Sequence, residues 1–205
     1  MAILGITGGI ATGKSTFARE LVSRANVKLF DTDHVARELL GDAEVLREIG
    51  EVFGNTVFSD KNIVNRERLR EIVFAGEGGR SNRVKLEKIL HPRIRARWKE
   101  EARLARKRGE WYAVDIPLLY ETGAEDAFDR IIVVACTPAT QWQRLTVGRE
   151  LPETVAAQIV AAQIPIGEKV TRADYVIWSD APPSRLNDQL SLLIRHLQIP
   201  TPTLA

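Results

Sequence analysis

The chain has 205 residues, of which 44% are hydrophobic and 27% are charged. This composition excludes a disordered or fibrous chain, because enough apolar surface is present to offset the entropy lost on folding. Its 29 basic and 27 acidic residues leave a formal charge of +2, too small by itself to indicate a nucleic acid or an anionic membrane as partner. The single cysteine, Cys136, excludes an internal disulfide and fits a reducing compartment. The first residues show no basic region followed by a long apolar stretch, and no later run approaches about 18 apolar residues, so we expect a soluble cytoplasmic protein.

Short apolar runs rich in β-branched or aromatic residues predict buried strands along the chain. They cover residues 2–7, 27–30, 111–116, 130–135 and 175–178. Apolar residues at helical spacing lie between them, for example Phe17, Leu21 and Ala25. Strands that alternate with helices predict an α/β fold, in which a parallel sheet is covered on both faces. We expect one domain over residues 1–205.

Residues 42–109 are almost wholly helical in pattern and predict an insertion between the second and third strands. Asp42, Asn65, Ser81 and Pro152 stand where helices are expected to begin, and His91-Pro92 is expected to end one helix and open the next. A weak extended candidate covers residues 56–64. Residues 76–81 are either a flexible joint or a solvated helix connection, and residues 200–205 are expected to fray.

A phosphate-binding loop is predicted between the first strand and the first helix. Its residues match the pattern G-x-x-x-x-G-K-[ST] and are Gly8, Gly9, Ile10, Ala11, Thr12, Gly13, Lys14 and Ser15, followed by Thr16. Glycines at both ends permit backbone angles that turn successive amides inward, toward phosphate oxygens at a positive helix terminus. We expect Lys14 to reach the β and γ phosphates and the Ser15 hydroxyl to ligate Mg²⁺. The ligand expected is a nucleoside triphosphate, with ATP favoured.

The reaction is a separate question, because a phosphate loop alone indicates only a nucleotide. A regulatory GTPase is disfavoured, since the chain contains neither Asp-x-x-Gly nor Asn-Lys-x-Asp. A mechanical ATPase usually needs a larger module, and a non-catalytic nucleotide-binding module stays open. A kinase for a small acceptor is the class that fits best.

Asp33 supports a kinase by its position, just after the second strand. In a parallel sheet the loops after the strands line the same edge as the phosphate loop. A carboxylate there can accept the proton of an attacking hydroxyl or hold a water on Mg²⁺. The alternative is that Asp31, Thr32 or Asp33 only caps the following helix.

Further motifs occur together and in order. They are residues 5–16, Asp31-Thr-Asp33, Leu90-His-Pro92, residues 115–121, Arg144 with Arg149, Gln163, Lys169 and residues 173–177. This set resembles the dephospho-coenzyme A kinase family. The resemblance implies a P-loop NTPase core like that of nucleoside-monophosphate kinases, with a helical acceptor-binding insertion at about 34–110 and a small lid at about 138–170. It also implies transfer of phosphate from ATP, with Mg²⁺, to the ribose 3′-hydroxyl of dephospho-coenzyme A, the last step of coenzyme A synthesis.

The resemblance also assigns expected sites. On the acceptor side these are Asp33, His91, Pro117, Leu118, Tyr120 and Glu121. The alternatives are that His91 is a capping or core residue and that Leu118 and Leu119 pack in the core. Arg144 and Arg149 are expected on a helix of the lid, where guanidinium groups suit a transferring phosphoryl group; solvated arginines are the alternative. The chain departs from the family pattern at Ala11, where glycine is frequent, and at Ser179-Asp180-Ala181.

Two further features are left open by the sequence. Asp115 ends an apolar run, as a carboxylate of the magnesium shell would. Residues 93–108 carry eight basic and two acidic side chains around Trp98. This stretch could attract an anionic acceptor or nucleic acid, but a charged outer helix face is favoured, and no nucleic acid or membrane partner is expected.

Overall fold

A computed structural model of the chain describes residues 1–59, 63–74 and 78–202, without the side chains of Phe74, Arg80 and Pro183. The contacts divide the chain into two compact units. The core unit consists of Met1–Asp31 and Ala102–Ala205, and the insertion unit of Thr32–Glu101. Within the described ranges, no helix is both long enough and apolar enough to cross a bilayer.

The core unit is built on one parallel sheet. Its strands are β1 (Ile3–Gly8), β2 (Val27–Asp31), β3 (Trp111–Asp115), β4 (Arg130–Ala135) and β5 (Tyr175–Trp178), in the order β2-β3-β1-β4-β5. Every residue of β1 is buried, as is typical of a central strand covered on both faces. The predicted α/β class is confirmed, and each predicted strand matches an observed one to within one residue at either end.

The strand order places a binding edge at β1. The chain leaves β1 for β2 and β3 on one side and later adds β4 and β5 on the other, so the direction of winding changes there. Parallel sheets bind ligands in the crevice beyond the carboxyl ends of their strands at such a point. The loop after β1, which is the predicted phosphate loop, therefore occupies the expected position.

Helix α1 (Lys14–Arg24) packs on the sheet through Phe17, Ala18 and Leu21, which are at most 2% exposed. These side chains belong to a hydrophobic cluster that also contains Leu4, Ile6 and residues of the last helix. Burial of each large apolar side chain contributes about 1.5–3 kcal/mol. The same packing that stabilises α1 therefore fixes the position of the loop before it.

The insertion unit is helical. It contains α2 (Thr32–Leu39), α3 (Ala43–Phe53), a 3-10 turn (Asn55–Val57), α4 (Arg66–Phe74) and most of α5 (Gly79–Arg108). Asp42 caps α3 by accepting the amides of Glu44 and Val45, and Asn65 accepts the amide of Arg68 at the start of α4. Both caps were predicted from the sequence and are confirmed.

Two predicted features of the insertion unit fall partly outside the described residues. Of the extended candidate at 56–64, the described part contains a 3-10 turn and a single antiparallel bridge between Phe58 and Val64, while residues 60–62 lie outside. Of the predicted joint at 76–81, residues 76 and 77 lie outside, and residues 79–81 form the first turn of α5.

Helix α5 corrects one prediction and confirms another. Pro92 does not separate two helices but lies inside one, because Ile89 and Leu90 before it and Ile94 and Trp98 after it are all buried, at most 8% exposed. Their burial outweighs the cost of about 3 kcal/mol for an internal proline. Ser81 lies in the first turn of α5, as predicted, and the carbonyl of Gly78 accepts the amide of Asn82 at 2.9 Å where this helix begins.

The remaining elements belong to the core unit. They are a 3-10 turn (Glu125–Ala127), α6 (Pro138–Thr146), α7 (Glu153–Ala161), α8 (Ile166–Arg172) and α9 (Pro183–Leu197). Pro152 is the N-cap residue of α7, as predicted. At the tail, the carbonyl of Pro200 accepts the amide of Asn26 at 2.7 Å, so this residue is attached to the core; residues 203–205 lie outside the description.

Candidate active site

The phosphate loop connects β1 to α1, as the sequence predicts. Gly13 is the N-cap of α1 with φ of 88°, a left-handed conformation that favours glycine. Its carbonyl accepts the amides of Thr16 and Phe17 at 3.0 Å, and it has no side chain with which to cap the helix. The first amides of α1, at Lys14 and Ser15, are therefore placed to bind an anion at the positive end of the helix.

Lys14 forms an ion pair with Asp115, the last residue of β3. The two side chains are only 10% and 7% exposed. Asp115 lies opposite Ile6 in the register of β3 and β1, which brings its carboxylate to the edge where α1 begins. Lys14 is thus part of a buried charge pair as well as of the predicted phosphate site, whereas Ser15 is exposed.

Two glutamine side chains hold the outer part of the phosphate loop. Gln141 of α6 donates to the carbonyl of Ile10 at 2.7 Å, and the amide of Ile10 donates to Gln163 at 2.9 Å. Both backbone groups of Ile10 are therefore satisfied by amide side chains. The outer part of the phosphate loop is therefore held by α6 and by the segment between α7 and α8.

Arg144 of α6 holds the inner part of the loop. Its guanidinium donates to the carbonyl of Ala11 at 3.2 Å, to the Ser179 hydroxyl at 2.9 Å and to the Ser179 carbonyl at 2.5 Å. The Ser179 hydroxyl in turn donates to the carbonyl of Thr12 at 2.6 Å. Arg144 thus adjoins the phosphate loop, and the segment after β5 takes part in the same network.

Arg149 does not lie on the same helix as Arg144, which corrects the sequence interpretation. Helix α6 ends at Thr146, because the amide of Gly148 bonds back to the Gln143 carbonyl at 3.1 Å and a Cβ on Gly148 would stand 2.9 Å from the Arg144 carbonyl. Arg149 follows on the exposed segment between α6 and α7.

A second buried charge pair lies beyond the ends of β1 and β3. Lys169 of α8 is 0% exposed, and its ammonium lies 2.7 Å from Glu121 Oε1 and 3.4 Å from the carbonyls of Gly8 and Pro117. Glu121 Oε1 also accepts the amide of Ile164 at 3.0 Å. Glu121 Oε2 is buried and has no hydrogen-bond partner within the described part of the chain.

Tyr120 lies beside this pair in the sequence and is 5% exposed. Burial raises the pKa of its phenol to about 12, despite the guanidinium of Arg172 located 4.2 Å from the ring centre. Its hydroxyl finds no hydrogen-bond partner among the residues described. Tyr120 is therefore a neutral donor or acceptor at all ordinary pH values.

The other residues predicted to contact the acceptor are distributed over both units. Pro117 and Leu118 follow β3 in the core unit and are half-buried. In the insertion unit, Asp33 is exposed in the first turn of α2, two residues after the end of β2, and His91 is exposed on α5. Neither His91 nor Leu118 is a fully buried core residue, whereas Leu119 is 0% exposed and packs in the core as the alternative predicts.

The basic stretch of α5 is a charged outer face in which many arginines pair with carboxylates. Arg93 contacts Glu48 at 2.8 Å, and this hydrogen bond raises the pKa of its guanidinium despite the opposing effect of burial. Arg106 and Arg108 contact Asp129 and Glu110 at 2.8 and 3.8 Å. Trp98 is buried, with only 3% of its surface exposed, so its ring is not accessible for stacking on a nucleic-acid base.

The sequence predicts no site role for Gln141 or Lys169. Lys169 occurs only within a motif of the family, and the resemblance assigns the loop at residues 179–181 to adenine and not to the phosphate loop. The usable signal was position, because each lies on an element that follows β4 or β5 and so can return to the binding edge. Side-chain type alone could not indicate that a lysine or a serine would face backbone carbonyls.

The core unit combines this strand order with a phosphate loop between the central strand and α1 and with a lysine–aspartate pair at the edge of the sheet. Together these features define the core of a P-loop kinase. The model of the dephospho-CoA kinase family matches residues 2–183. The chain belongs to that family.

Individual relatives agree with the family match. Dephospho-CoA kinase of Bacillus cereus is 34% identical over 96% of this chain and 98% of its own. Dephospho-CoA kinase of Anaeromyxobacter dehalogenans is 38% identical over 97% of this chain and 93% of its own. The solved structure of dephospho-CoA kinase from Campylobacter jejuni has a TM-score of 0.71 and 27% identity, covering 95% of this chain and 96% of that one. The chain is therefore an ATP-dependent kinase, as the sequence predicted.

Proposed function

We propose that the chain transfers the γ-phosphoryl group of ATP to the ribose 3′-hydroxyl of dephospho-CoA and so produces coenzyme A. The observation that carries this proposal is the family match over residues 2–183. The geometry of the phosphate loop supports the donor side, because its open helix terminus and its lysine suit a triphosphate. The small-molecule substrates need no nucleic acid or membrane, and we propose a cytoplasmic location.

On the donor side, ATP would be held by the backbone of the phosphate loop, with Lys14 on the β and γ phosphates. In the reaction, negative charge moves from the γ-phosphoryl group toward the oxygen that leaves with ADP. Guanidinium groups stabilise such charge, and Arg144 is already fastened to the loop at the Ala11 carbonyl. We assign Arg144 to the transferring phosphoryl group and Arg149 to the nucleotide.

On the acceptor side, we assign Asp33 as the general base. The 3′-hydroxyl loses its proton to the Asp33 carboxylate, its oxygen forms a bond to the γ phosphorus, and the bond from that phosphorus to ADP breaks. His91, Pro117, Leu118, Tyr120 and Glu121 would contact the acceptor. The insertion at about 34–110 would then be the acceptor-binding part, and residues from about 138 to 170 the lid.

Mg²⁺ fits the residues at the start of α1. The exposed Ser15 hydroxyl and the Asp115 carboxylate are oxygen donors of the type that Mg²⁺ takes. Across the described ranges, no group of three or more His, Cys, Asp or Glu side chains could hold a metal by itself. A bound Mg²⁺ would therefore depend on phosphate oxygens and water, and it would neutralise charge on the β and γ phosphates.

The proposal is tested by incubating the purified chain with ATP, Mg²⁺ and one candidate acceptor at a time. ADP release is followed by a coupled assay, and the product is identified by mass spectrometry. We expect phosphorylation of dephospho-CoA in preference to AMP, shikimate or a nucleoside. Preference for one of those three acceptors would refute the substrate assignment.

The role of Asp33 is tested by Asp33→Asn, which keeps the size of the side chain but removes its charge. A general base contributes about 10²- to 10⁴-fold, so turnover should fall by that factor while ATP binding stays the same. Glu38→Gln removes a different exposed carboxylate from the same helix and is the matched control. An Asp33→Asn variant with full activity would exclude Asp33 as the base.

A further inference from the structure

Lys169 contacts the first residue of the phosphate loop from a position where solvent does not reach it. We propose that Lys169 is a positioning residue, which together with Glu121 orients the phosphate loop for ATP. The inference rests on the proposed function for its reaction, but its central claim concerns the binding of ATP alone. It assigns a role in the kinase to a buried charge pair.

The contacts of Lys169 argue against direct phosphate binding. An ammonium group has three N–H donors, and Lys169 Nζ has three acceptors: Glu121 Oε1 at 2.7 Å and the carbonyls of Gly8 and Pro117 at 3.4 Å. Removing an ammonium from water is costly unless it is paired and hydrogen-bonded. With all three donors engaged and no exposed surface, the charge of Lys169 acts on the protein's own backbone.

Gly8 is the point at which this charge acts on the loop. It is both the last residue of β1 and the first of the phosphate loop, and a Cβ there would stand 2.4 Å from the Val134 carbonyl. The backbone of Gly8 is thus pressed against β4 while its carbonyl faces Lys169. In a trans peptide the carbonyl and the following amide point in opposite directions. Lys169 therefore sets the orientation of the first peptide of the loop.

Lys169 also belongs to a short segment that reaches the loop at a second point. Gln163, six residues before it, accepts the amide of Ile10 at 2.9 Å. Glu121 joins the two ends of this segment, because its Oε1 accepts both the amide of Ile164 and the ammonium of Lys169. Residues 163–169 therefore contact the beginning of the phosphate loop at two points, Gly8 and Ile10.

The same ammonium also contacts the loop that follows β3. The carbonyl of Pro117 accepts from Lys169 Nζ and from the Thr7 hydroxyl, at 3.4 and 3.3 Å. The ammonium of Lys169 thus connects three parts of the core unit: the loop after β1, the loop after β3 and helix α8. Without this charge the first peptide of the phosphate loop can rotate, and a displacement of about 1 Å from the productive geometry costs about 10²-fold in rate.

The experiment must separate positioning from folding, because Lys169→Met leaves the buried carboxylate of Glu121 without its ammonium. We therefore pair it with the double variant Lys169→Met/Glu121→Gln, in which both charges are removed and stability is expected to recover. ATP affinity is measured by calorimetry without acceptor, thermal stability by melting, and turnover with dephospho-CoA. The control is Lys28→Met/Glu110→Gln, which removes an exposed pair with a 2.9 Å contact.

We expect the double variant to melt close to the wild type, yet to bind ATP about tenfold more weakly and to turn over about 10- to 10²-fold more slowly. Lost acceptor contacts at Glu121 cannot change the affinity for ATP measured without acceptor. A double variant with ATP affinity like that of the wild type would overturn the inference, and so would one that melts as low as Lys169→Met, since the pair would then serve folding. A wild type that binds ATP but does not phosphorylate dephospho-CoA would refute the proposed function instead.

Discussion

Ala11 stands in the phosphate loop with φ of 60°, a left-handed conformation that a residue with a Cβ rarely adopts. This conformation costs such a residue about 1–2 kcal/mol. Ala11→Gly relieves that cost, but glycine gives the unfolded chain more conformational entropy, which destabilises the folded state by about 0.4–1 kcal/mol. The substitution also removes a half-buried methyl group, whose burial contributes about half of the 0.8 kcal/mol that a fully buried one would contribute to stability. The net effect is a stabilisation of about 0.5 kcal/mol.

For a chain of this size, about 1 kcal/mol shifts the melting temperature by about 2–4 °C, so Ala11→Gly should raise it by about 1–2 °C in differential scanning calorimetry. The control is Ala157→Gly, at an exposed position inside α7. There glycine should cost about 1 kcal/mol and lower the melting temperature by about 2–4 °C. If Ala11→Gly lowers the melting temperature as far as Ala157→Gly does, the strain assigned to Ala11 is absent.

Three further predictions concern charged side chains of the core unit. Lys14→Ala should abolish turnover and lower the free energy of unfolding by about 3–5 kcal/mol, because Asp115 is buried with it; adding Asp115→Asn should restore stability in urea titrations but not turnover. Arg144→Ala should lower kcat more than it weakens acceptor binding in steady-state assays, and the reverse pattern would make Arg144 a ground-state contact. Burial would raise the pKa of Asp129, but the Ile3 amide and Arg106 outweigh it and lower that pKa. Its stabilising effect is therefore present above about pH 4 and lost as the pH falls through the lowered pKa, so the stability difference between wild type and Asp129→Asn should shrink below about pH 4.

The sheet could be predicted from the sequence because its signals are local. Residues 131–135 form an unbroken apolar strand pattern, and Gly13-Lys14 follows a buried strand at the spacing that a phosphate loop requires. Asp42 and Asn65 are capping residues whose side chains act on amides two or three residues away. Such features need no knowledge of the rest of the chain.

Features that depend on distant contacts could not be predicted. Pro92 is a local signal for a helix end, but burial on both sides of it decides the outcome. The sequence predicts only phosphate contacts for Lys14, whereas Asp115, 101 residues away, pairs with it. Lys169 and Gly8 are separated by 161 residues, so nothing near either residue indicates their contact.

The buried pair of Lys169 and Glu121 limits how this chain can change over evolutionary time. Loss of either partner alone leaves a buried charge, which costs about 3–5 kcal/mol, a large part of the 5–15 kcal/mol by which proteins are ordinarily stable. Loss of both together costs little stability. A lineage that abandons the pair must therefore cross a poorly folded intermediate, unless its two mutations arise together or a stabilising change comes first. Positions 121 and 169 are thus expected to covary among relatives, either both charged or both neutral.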